Sequence, residues 1–400
     1  MSNIDPAERF KLNFDKSNYR RMISGKEVIV HCHHYNSRIQ RTVEESRQID
    51  GRRLVVSTAE AVFSEMCSHA FLPGDSPEKK WEIAASLYAH LGLGSLDVSR
   101  VGQGIVRADT SHFVEGWSAG LGTREAPVCN FTVGYLQGAY HAISGQNVSV
   151  TEKECLIHGV DHCVFEIDTT RTEPHCFNHK PYPPPASVAA PQDIQTLASP
   201  NVDQAKIIDA LVEMPIYGDP DGLIPAFGVY LANMPADFYN LLFIQYVEEM
   251  QKVNLHAVAK KLLMADAETC ALNTFRGIMN SAEWDRLIAP MVKEPQDNLY
   301  GILAVSNGLG WGNWQVVEHE PAKRLVLASL NGYEALGYRE YRPRASSPQC
   351  FMLTGVAAGI MALVYGKELF KERFGAYKST EERCICRDDP GCSFSVVSRK

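Results

Sequence analysis

Apolar and polar positions along the chain predict the same succession of elements twice. Residues 96–101 and 314–319 alternate between apolar and polar side chains, which is typical of half-buried β-strands. Two later runs carry small residues at helical spacing and predict closely packed helices: Gly134, Gly138 and Ala142, then Gly355, Ala358 and Ala362. Helices gathered against an antiparallel sheet give an α+β fold in each segment.

The two segments share landmarks in one order, which indicates a divergent internal repeat. Tyr35-Asn36 matches Tyr239-Asn240, Leu91-Gly-Leu-Gly matches Leu309-Gly-Trp-Gly, and Cys129 matches Cys350. We therefore predict two related lobes packed as an internal pseudo-dimer. The predicted boundaries are an N-terminal extension over 1–24, lobe one over 25–170, a proline-rich linker over 171–204 and lobe two over 205–400.

A cysteine pattern that occurs twice carries the clearest candidate chemistry. Glu-x₂-Cys-x₇-Cys appears at Glu152 and again at Glu381, each time with a further cysteine upstream. Three thiolates and one carboxylate suit four-coordinate zinc, and four protein ligands leave no open position, so each zinc is expected to be structural. The predicted ligands are Cys129, Glu152, Cys155 and Cys163 in lobe one and Cys350, Glu381, Cys384 and Cys392 in lobe two.

The second pattern leaves one ligand open. Its upstream cysteine lies further from the glutamate than in the first pattern, and Cys386 offers a competing thiol. Either Cys350 or Cys386 therefore completes the second site. With one zinc per lobe, the chain is expected to bind two.

Composition and charge exclude several classes of function. The 400 residues carry a net charge of −8 and no long basic run, which argues against a nucleic-acid partner. No stretch of 18 apolar residues exists, so no membrane span is expected. The N-terminus lacks the apolar core of a signal peptide, and the eleven cysteines are expected to be thiols and metal ligands in a cytoplasmic protein. A monomer or a homodimer fits equally well.

The cysteine patterns and the glycines that precede them resemble the 4-vinyl reductase domain family. Pro127-Val-Cys129, Gly134-x₃-Gly138 and the Glu152 pattern carry the resemblance in lobe one, and their counterparts around Cys350 and Glu381 carry it in lobe two. The resemblance implies a small-molecule binding module, of the kind used as sensor domains of aromatic-responsive regulators. It also implies a zinc held by the four predicted ligands beside a buried apolar pocket.

The repeat places candidate pocket residues in both lobes. His112, aligned with Tyr333, precedes the stretch that leads to the upstream cysteine. Apolar pockets with a few convergent polar groups are the usual small-molecule sites. The candidates are His112, Phe113 and Trp117 in lobe one and Trp311, Trp314 and Tyr333 in lobe two, with filling of the core as the alternative.

A histidine cluster, His31-Cys-His33-His34, distinguishes lobe one from lobe two. If residues 28–33 form a strand, His31 and His33 share one face and make a usable pair of metal ligands. Two hypotheses follow. The leading one is a zinc-containing protein that binds a small apolar or aromatic molecule and acts as a sensor or pathway accessory, through a protein partner. The rival is an enzyme or cofactor-handling factor that uses His31, His33 and His34, and a protein-interaction scaffold is a third reading.

Overall fold

The computed structural model describes residues 9–170, 194–367 and 369–399. Within these residues no helix is both long and apolar enough to cross a bilayer. The helices are α1 (His33–Glu44), α2 (Gly51–Ala70), α3 (Pro77–His90), α4 (His112–Gly120), α5 (Asn130–Ser144), α6 (Gln204–Glu213), α7 (Ala236–Lys252), α8 (His256–Met279), α9 (Ala282–Leu287), α10 (Asp297–Gly308), α11 (Tyr333–Tyr341), α12 (Phe351–Tyr365) and α13 (Phe370–Arg373).

Three antiparallel sheets accompany these helices, which confirms the α+β class. The strands are β1 (Asn13–Asp15), β2 (Arg20–Ile23), β3 (Lys26–Cys32), β4 (Ile105–Ala108), β5 (Ser149–Glu154), β6 (Cys163–Asp168), β7 (Ile224–Ala226), β8 (Val229–Pro235), β9 (Trp314–Glu320), β10 (Arg324–Ser329), β11 (Tyr377–Arg383) and β12 (Cys392–Ser398). The orders are β1-β2-β3-β8-β7, β4-β6-β5 and β11-β12-β10-β9.

The five-stranded sheet joins the first half of the chain to the second. Its middle strands β3 and β8 pair antiparallel, with Val28 opposite Pro235 and Cys32 opposite Leu231. Each strand is followed at once by a helix, α1 after β3 and α7 after β8. Because β3 and β8 are buried over most of their length, the joint between the halves is part of the hydrophobic core.

The succession of elements after β3 recurs after β8. Both halves continue through a long helix, a shorter helix, a double-glycine turn, strand residues, a nine-residue helix, a 15-residue helix and a hairpin. The turn glycines have matching left-handed φ angles, 82° and 121° at Gly92 and Gly94 against 90° and 119° at Gly310 and Gly312. This agreement is what the predicted repeat requires at these positions.

Close helix pairs organise both halves, as the small-residue spacing predicts. A Cβ on Gly134 would lie 2.2 Å from the carbonyl oxygen of Val56, and one on Gly355 would lie 2.1 Å from that of Met264. Glycine is therefore required where α5 crosses α2 and where α12 crosses α8. These crossings hold the N-termini of α5 and α12, and the cysteines before them, against the hairpins.

Two of the predicted segment boundaries differ from the observed elements. β1 and β2 fall within residues 1–24, so the described part of the predicted extension contributes strands to the five-stranded sheet. Residues 171–193 of the predicted linker lie outside the described residues. The remainder of that linker contacts the second half, where the Leu197 amide donates to the carbonyl oxygen of Val316 at 2.7 Å.

Candidate functional site

The first cysteine cluster lies where the N-terminus of α5 meets the β5–β6 hairpin. Cys129 precedes α5, Glu152 lies on β5, Cys155 follows that strand and Cys163 begins β6. All four residues are buried, and their ligand atoms lie within 4.8 Å of one another. The fold thus brings together the four residues that the spacing singled out, because the hairpin turn returns Cys163 to the end of the glycine-rich helix.

The second cluster has the same construction from α12, β11 and β12. Cys350, Glu381, Cys384 and Cys392 converge within 4.8 Å, so Cys350 belongs to the group despite its longer separation. The Cys386 sulfur lies outside the group, 2.9 Å from that of Cys384 and directed toward the carbonyl oxygen of Ser347. The extra residues after α12 lengthen the connection to β11 and leave the cluster geometry intact.

Both clusters fit a tetrahedral metal ion. In the second, the Cys350 sulfur lies 3.8 Å and 3.7 Å from those of Cys384 and Cys392, and in the first Cys129 and Cys163 are 3.8 Å apart. Zinc–sulfur bonds of about 2.3 Å at tetrahedral angles separate the sulfurs by about 3.8 Å.

The glutamates present one oxygen to each cluster. Glu152 Oε2 accepts the backbone N–H of Cys129 and Glu381 Oε2 accepts that of Cys350, whereas the buried Oε1 atoms have no hydrogen-bond partner among the described residues. A metal ion would supply the missing partner for each of these oxygens.

Electrostatics within the first cluster also favour a cation. Burial, followed by the charge of Cys155, raises the pKa of Glu152 to about 8, while hydrogen bonds from the Cys129 and Cys163 thiols lower the pKa of Cys155 to about 2. Several acidic groups cannot all ionise in a small buried volume unless a positive charge lies among them. Each cluster therefore can hold a metal ion through three sulfurs and one oxygen.

A second candidate site is an aromatic group at the joint between the halves, which we call the junction cluster. It consists of His31, Tyr35, Tyr239, Trp311 and Tyr333, and none is more than 3% exposed. The His31 ring centroid lies 4.6 Å from that of Tyr35, 4.9 Å from that of Trp311 and 5.0 Å from that of Tyr239. His31 is the penultimate residue of β3, so the strand that joins the halves places its ring in this group.

Polar atoms inside the junction cluster lack partners. Both ring nitrogens of His31 and the hydroxyl groups of Tyr35 and Tyr333 are buried without a hydrogen bond to any described residue. Such an atom costs about 1–3 kcal/mol in the folded state. Burial lowers the pKa of His31 to about 3 and raises the pKa of both tyrosines well above the usual value, so all three side chains are neutral near pH 7.

The equivalent position in the first half is saturated. The Tyr239 hydroxyl donates to Oδ1 of Asn36, and Nδ2 of Asn36 donates to Nε2 of His112 at 2.9 Å. The repeat pairs Tyr35, Asn240 and Tyr333 with these three residues, yet the Tyr35 and Tyr333 hydroxyls and the Asn240 Oδ1 have no partner among the described residues. Two halves with one architecture therefore differ in polar satisfaction.

The histidine cluster does not converge as a ligand pair. The strand premise was wrong, because β3 ends at Cys32 and His33 begins α1. His31 packs in the junction cluster, whereas His33 accepts the Tyr230 amide at 3.0 Å and its ring centroid lies 3.9 Å from that of His34. No histidine joins a metal-sized group within the described ranges.

The remaining pocket candidates lie in other parts of the core. Phe113 stacks on Phe131 at 4.7 Å, and Trp117 carries the Arg124 guanidinium 4.8 Å from its ring. Trp314 begins β9 and stacks on Phe394 at 5.5 Å. Of the six candidates, Trp311 and Tyr333 are the two that belong to the junction cluster.

Sequence reasoning overlooked Tyr35 and Tyr239 as site residues. Both were visible as repeat landmarks, and a tyrosine retained at the same position in two divergent segments was the available signal. It also overlooked Glu334, which is buried beside Tyr333 and accepts the amides of Met352 and Leu353 at 2.9 Å. Burial raises the pKa of Glu334 to about 8.

Comparison with known protein families bears on the first cysteine cluster. Residues 117–169, which include all four members of that cluster, match the 4-vinyl reductase domain. The chain carries a 4-vinyl reductase domain. The matched residues cover α5, the turn after β5 and the hairpin around Cys155, so the family match and the first cluster coincide.

The curated relative of this chain is distant. An uncharacterized protein of Methanocaldococcus jannaschii, MJ0745, is 27% identical over 93 residues, which is 23% of this chain and 49% of that protein. The chain thus spans about half the length of this curated relative.

Two solved structures resemble parts of the chain. The phenol-responsive sensory domain of the transcription activator PoxR, solved with phenol, is 16% identical with a TM-score of 0.34, over 41% of this chain and 89% of that one. A vinyl-4-reductase family protein from Methanocaldococcus jannaschii is 20% identical with a TM-score of 0.22, over 28% and 68%.

Proposed function

We propose that this protein binds one compact, neutral, largely apolar or aromatic molecule in the junction cluster and acts as a sensor or pathway accessory. The observation that carries the proposal is the group of unpartnered polar atoms on His31, Tyr35 and Tyr333 inside an aromatic enclosure. An apolar enclosure with a few convergent polar groups is the usual form of a small-molecule site. A ligand hydroxyl or carbonyl group would satisfy atoms that have no partner among the described residues.

Charge restricts the ligand class. His31 and both tyrosines are neutral across the physiological range, and the cluster buries its members almost completely. An ion would have to lose its hydration here without a counter-charge, which is costly. A neutral ring with one polar substituent meets these conditions, and phenol, the ligand named for the PoxR domain, is a suitable probe.

We further propose that both cysteine clusters hold zinc, one ion in each half. Support comes from the donor set, the sulfur separations near 3.8 Å and the unpartnered carboxylate oxygens. Four protein donors leave no open coordination position, so the metal would stabilise each hairpin against its helix and take no part in ligand chemistry.

We also propose that the chain is a tandem of two lobes of the 4-vinyl reductase type, forming an internal pseudo-dimer. The repeated element order and the matching glycine angles support this arrangement. In it, β3 and β8 pair about a pseudo-twofold axis, and the junction cluster takes residues from both lobes. One ligand per chain is the expected stoichiometry.

Phenol titration by calorimetry tests the ligand proposal. Purified full-length protein should bind phenol near one equivalent, and Tyr333→Phe or Tyr35→Phe should each weaken binding about tenfold, since a hydrogen bond contributes about 1.4 kcal/mol. Trp314→Phe is the matched control, because its ring stacks on Phe394. Binding that is weakened by Trp314→Phe and unaffected by both tyrosine variants would place the site elsewhere.

A further inference from the structure

A groove occurs at the same place in both halves, beside the close helix pairs. In the first half it is lined by α2, α5 and β5 and has a volume of about 290 Å³. In the second it is lined by α8, α12 and β11 and reaches about 480 Å³. Equivalent residues line both grooves, including Arg53 and Lys261, and Glu60 and Glu268. A comparison of the two grooves shows what the second one has gained.

One substitution within the repeat accounts for the larger opening. In the first groove, Gln137 donates to Oε2 of Glu60 at 2.7 Å and accepts the Val150 amide at 3.1 Å, so its side chain bridges the helices and the strand. Counting from the paired glycines Gly134 and Gly355, the residue in the second half is Ala358. Alanine has no atoms to make that bridge, and an apolar floor is left between α8 and α12.

The second groove combines this floor with a cationic rim. Met264, Ala265 and Ala358 form the apolar floor, and Phe374 forms one wall. Lys261, Lys378 and Arg399 are exposed around the opening, and none takes part in an ion pair with another described residue.

One acid faces the same groove. The side chain of Glu268 is mostly buried, and its Oε1 accepts the Gly375 amide at 2.7 Å. Three cations against one largely buried acid, on a chain of net charge −8, select for an anionic head group.

The apolar surface continues beyond the groove. Phe374 is 40% exposed and stacks on Phe370, which is 41% exposed, at 5.9 Å, and Leu369 is 56% exposed. These side chains lie in the connection from α12 to β11, which is longer than the connection from α5 to β5 in the first half. Large exposed apolar side chains that adjoin an apolar groove mark a binding surface more often than chance exposure does.

We propose that the second-half groove binds a single long-chain anionic amphiphile, such as a fatty carboxylate. The chain lies on the floor of Met264, Ala265 and Ala358 and against Phe374, and the head group faces Lys261, Lys378 and Arg399. Neither the junction cluster nor the cysteine clusters contribute to this site, so the proposal is independent of the function proposed above.

Laurate titrated calorimetrically into the full-length protein, below its micellar concentration, tests the proposal. One equivalent should bind, whereas butyrate, which has the charge without the chain, should not. Ala358→Gln restores the residue of the first half and should weaken laurate binding at least about tenfold, because the amide would bridge Glu268 and β11 and fill the floor. Lys378→Glu should weaken it by a similar factor.

Controls separate this site from the others. Ala358→Gln should leave the metal content, the melting temperature and phenol binding unchanged, and Tyr333→Phe should leave laurate binding unchanged. Equal laurate affinity in Ala358→Gln would overturn the proposal, as would equal binding of butyrate. Sedimentation with phosphatidylglycerol vesicles without any binding of free laurate would assign the surface to a membrane and also overturn it.

Discussion

The two halves of this molecule share one construction and differ in how completely each saturates its interior. Around His112, a tyrosine, an asparagine and a histidine form a continuous hydrogen-bonded chain. Around Tyr333, the equivalent three residues leave hydroxyl and amide oxygens without partners among the described residues. The surface groove repeats the contrast, since Gln137 bridges the first groove and Ala358 leaves the second open. Duplication allows one copy to preserve the packing while the other accommodates a ligand.

Loss of one cysteine cluster should have the largest effect on this comparison. Cys129→Ser and Cys350→Ser should each remove one zinc per chain and lower the free energy of unfolding by several kcal/mol, because metal-binding free energy is folding free energy. Elemental analysis and thermal denaturation measure both. Cys67→Ser is the control, since Cys67 is equally buried but lies near Tyr135 outside either cluster. If only one variant lost zinc, the halves would not be equivalent at their metal sites.

Glycine at the helix crossings should matter equally in both halves. Gly134→Ala and Gly355→Ala bring a Cβ to about 2 Å from a backbone carbonyl oxygen and should each cost about 1–3 kcal/mol through overpacking. Urea denaturation measures the change, and Gly102→Ala is the control, because no atom lies within 4 Å of its added Cβ. A large difference between the two variants would break the equivalence of the helix pairs.

Acid should destabilise the protein through its buried histidines. His31 has a folded-state pKa of about 3, whereas the unfolded side chain titrates near 6.5. The unfolded state therefore binds protons first, and stability falls as the pH drops below about 6.5, by about 2 kcal/mol at pH 5 from this residue.

His31→Phe should remove that dependence and flatten the stability–pH curve between pH 6.5 and 4. His90→Phe is the comparison in the first half, where burial lowers the pKa to about 4, so its curve should flatten to a similar extent near pH 5 and less below pH 4. An unchanged slope in His31→Phe would mean that His31 is charged in the folded protein.

The smallest effect should distinguish the saturated chain from the unsaturated one. Tyr239→Phe removes the hydroxyl that donates to Asn36 and should cost about 1 kcal/mol, whereas Tyr35→Phe removes a hydroxyl without a described partner and should be neutral or slightly stabilising in ligand-free protein. Chemical denaturation of the two variants provides the test. Equal destabilisation would mean that the Tyr35 hydroxyl is satisfied and would remove the basis for a ligand there.

The sequence by itself determined the elements that depend on local spacing. Glu-x₂-Cys-x₇-Cys is a hairpin with ligands at both ends of its turn, so the clusters at Cys129 and Cys350 could be predicted without any tertiary information. The α+β class followed in the same way, because alternation and small-residue spacing report on a strand or a helix individually.

Only the tertiary structure decided which side chains meet at the joint between the halves. Pairing of β3 with β8 brings His31 against Trp311, which is far away in the chain, and no local pattern encodes that contact. The end of β3 at Cys32 separates His31 from His33, because one residue of helix redirects the side chain that a strand would have aligned. Polar satisfaction is likewise a property of neighbours in space, so the difference between Asn36 and Asn240 appears only in the folded molecule.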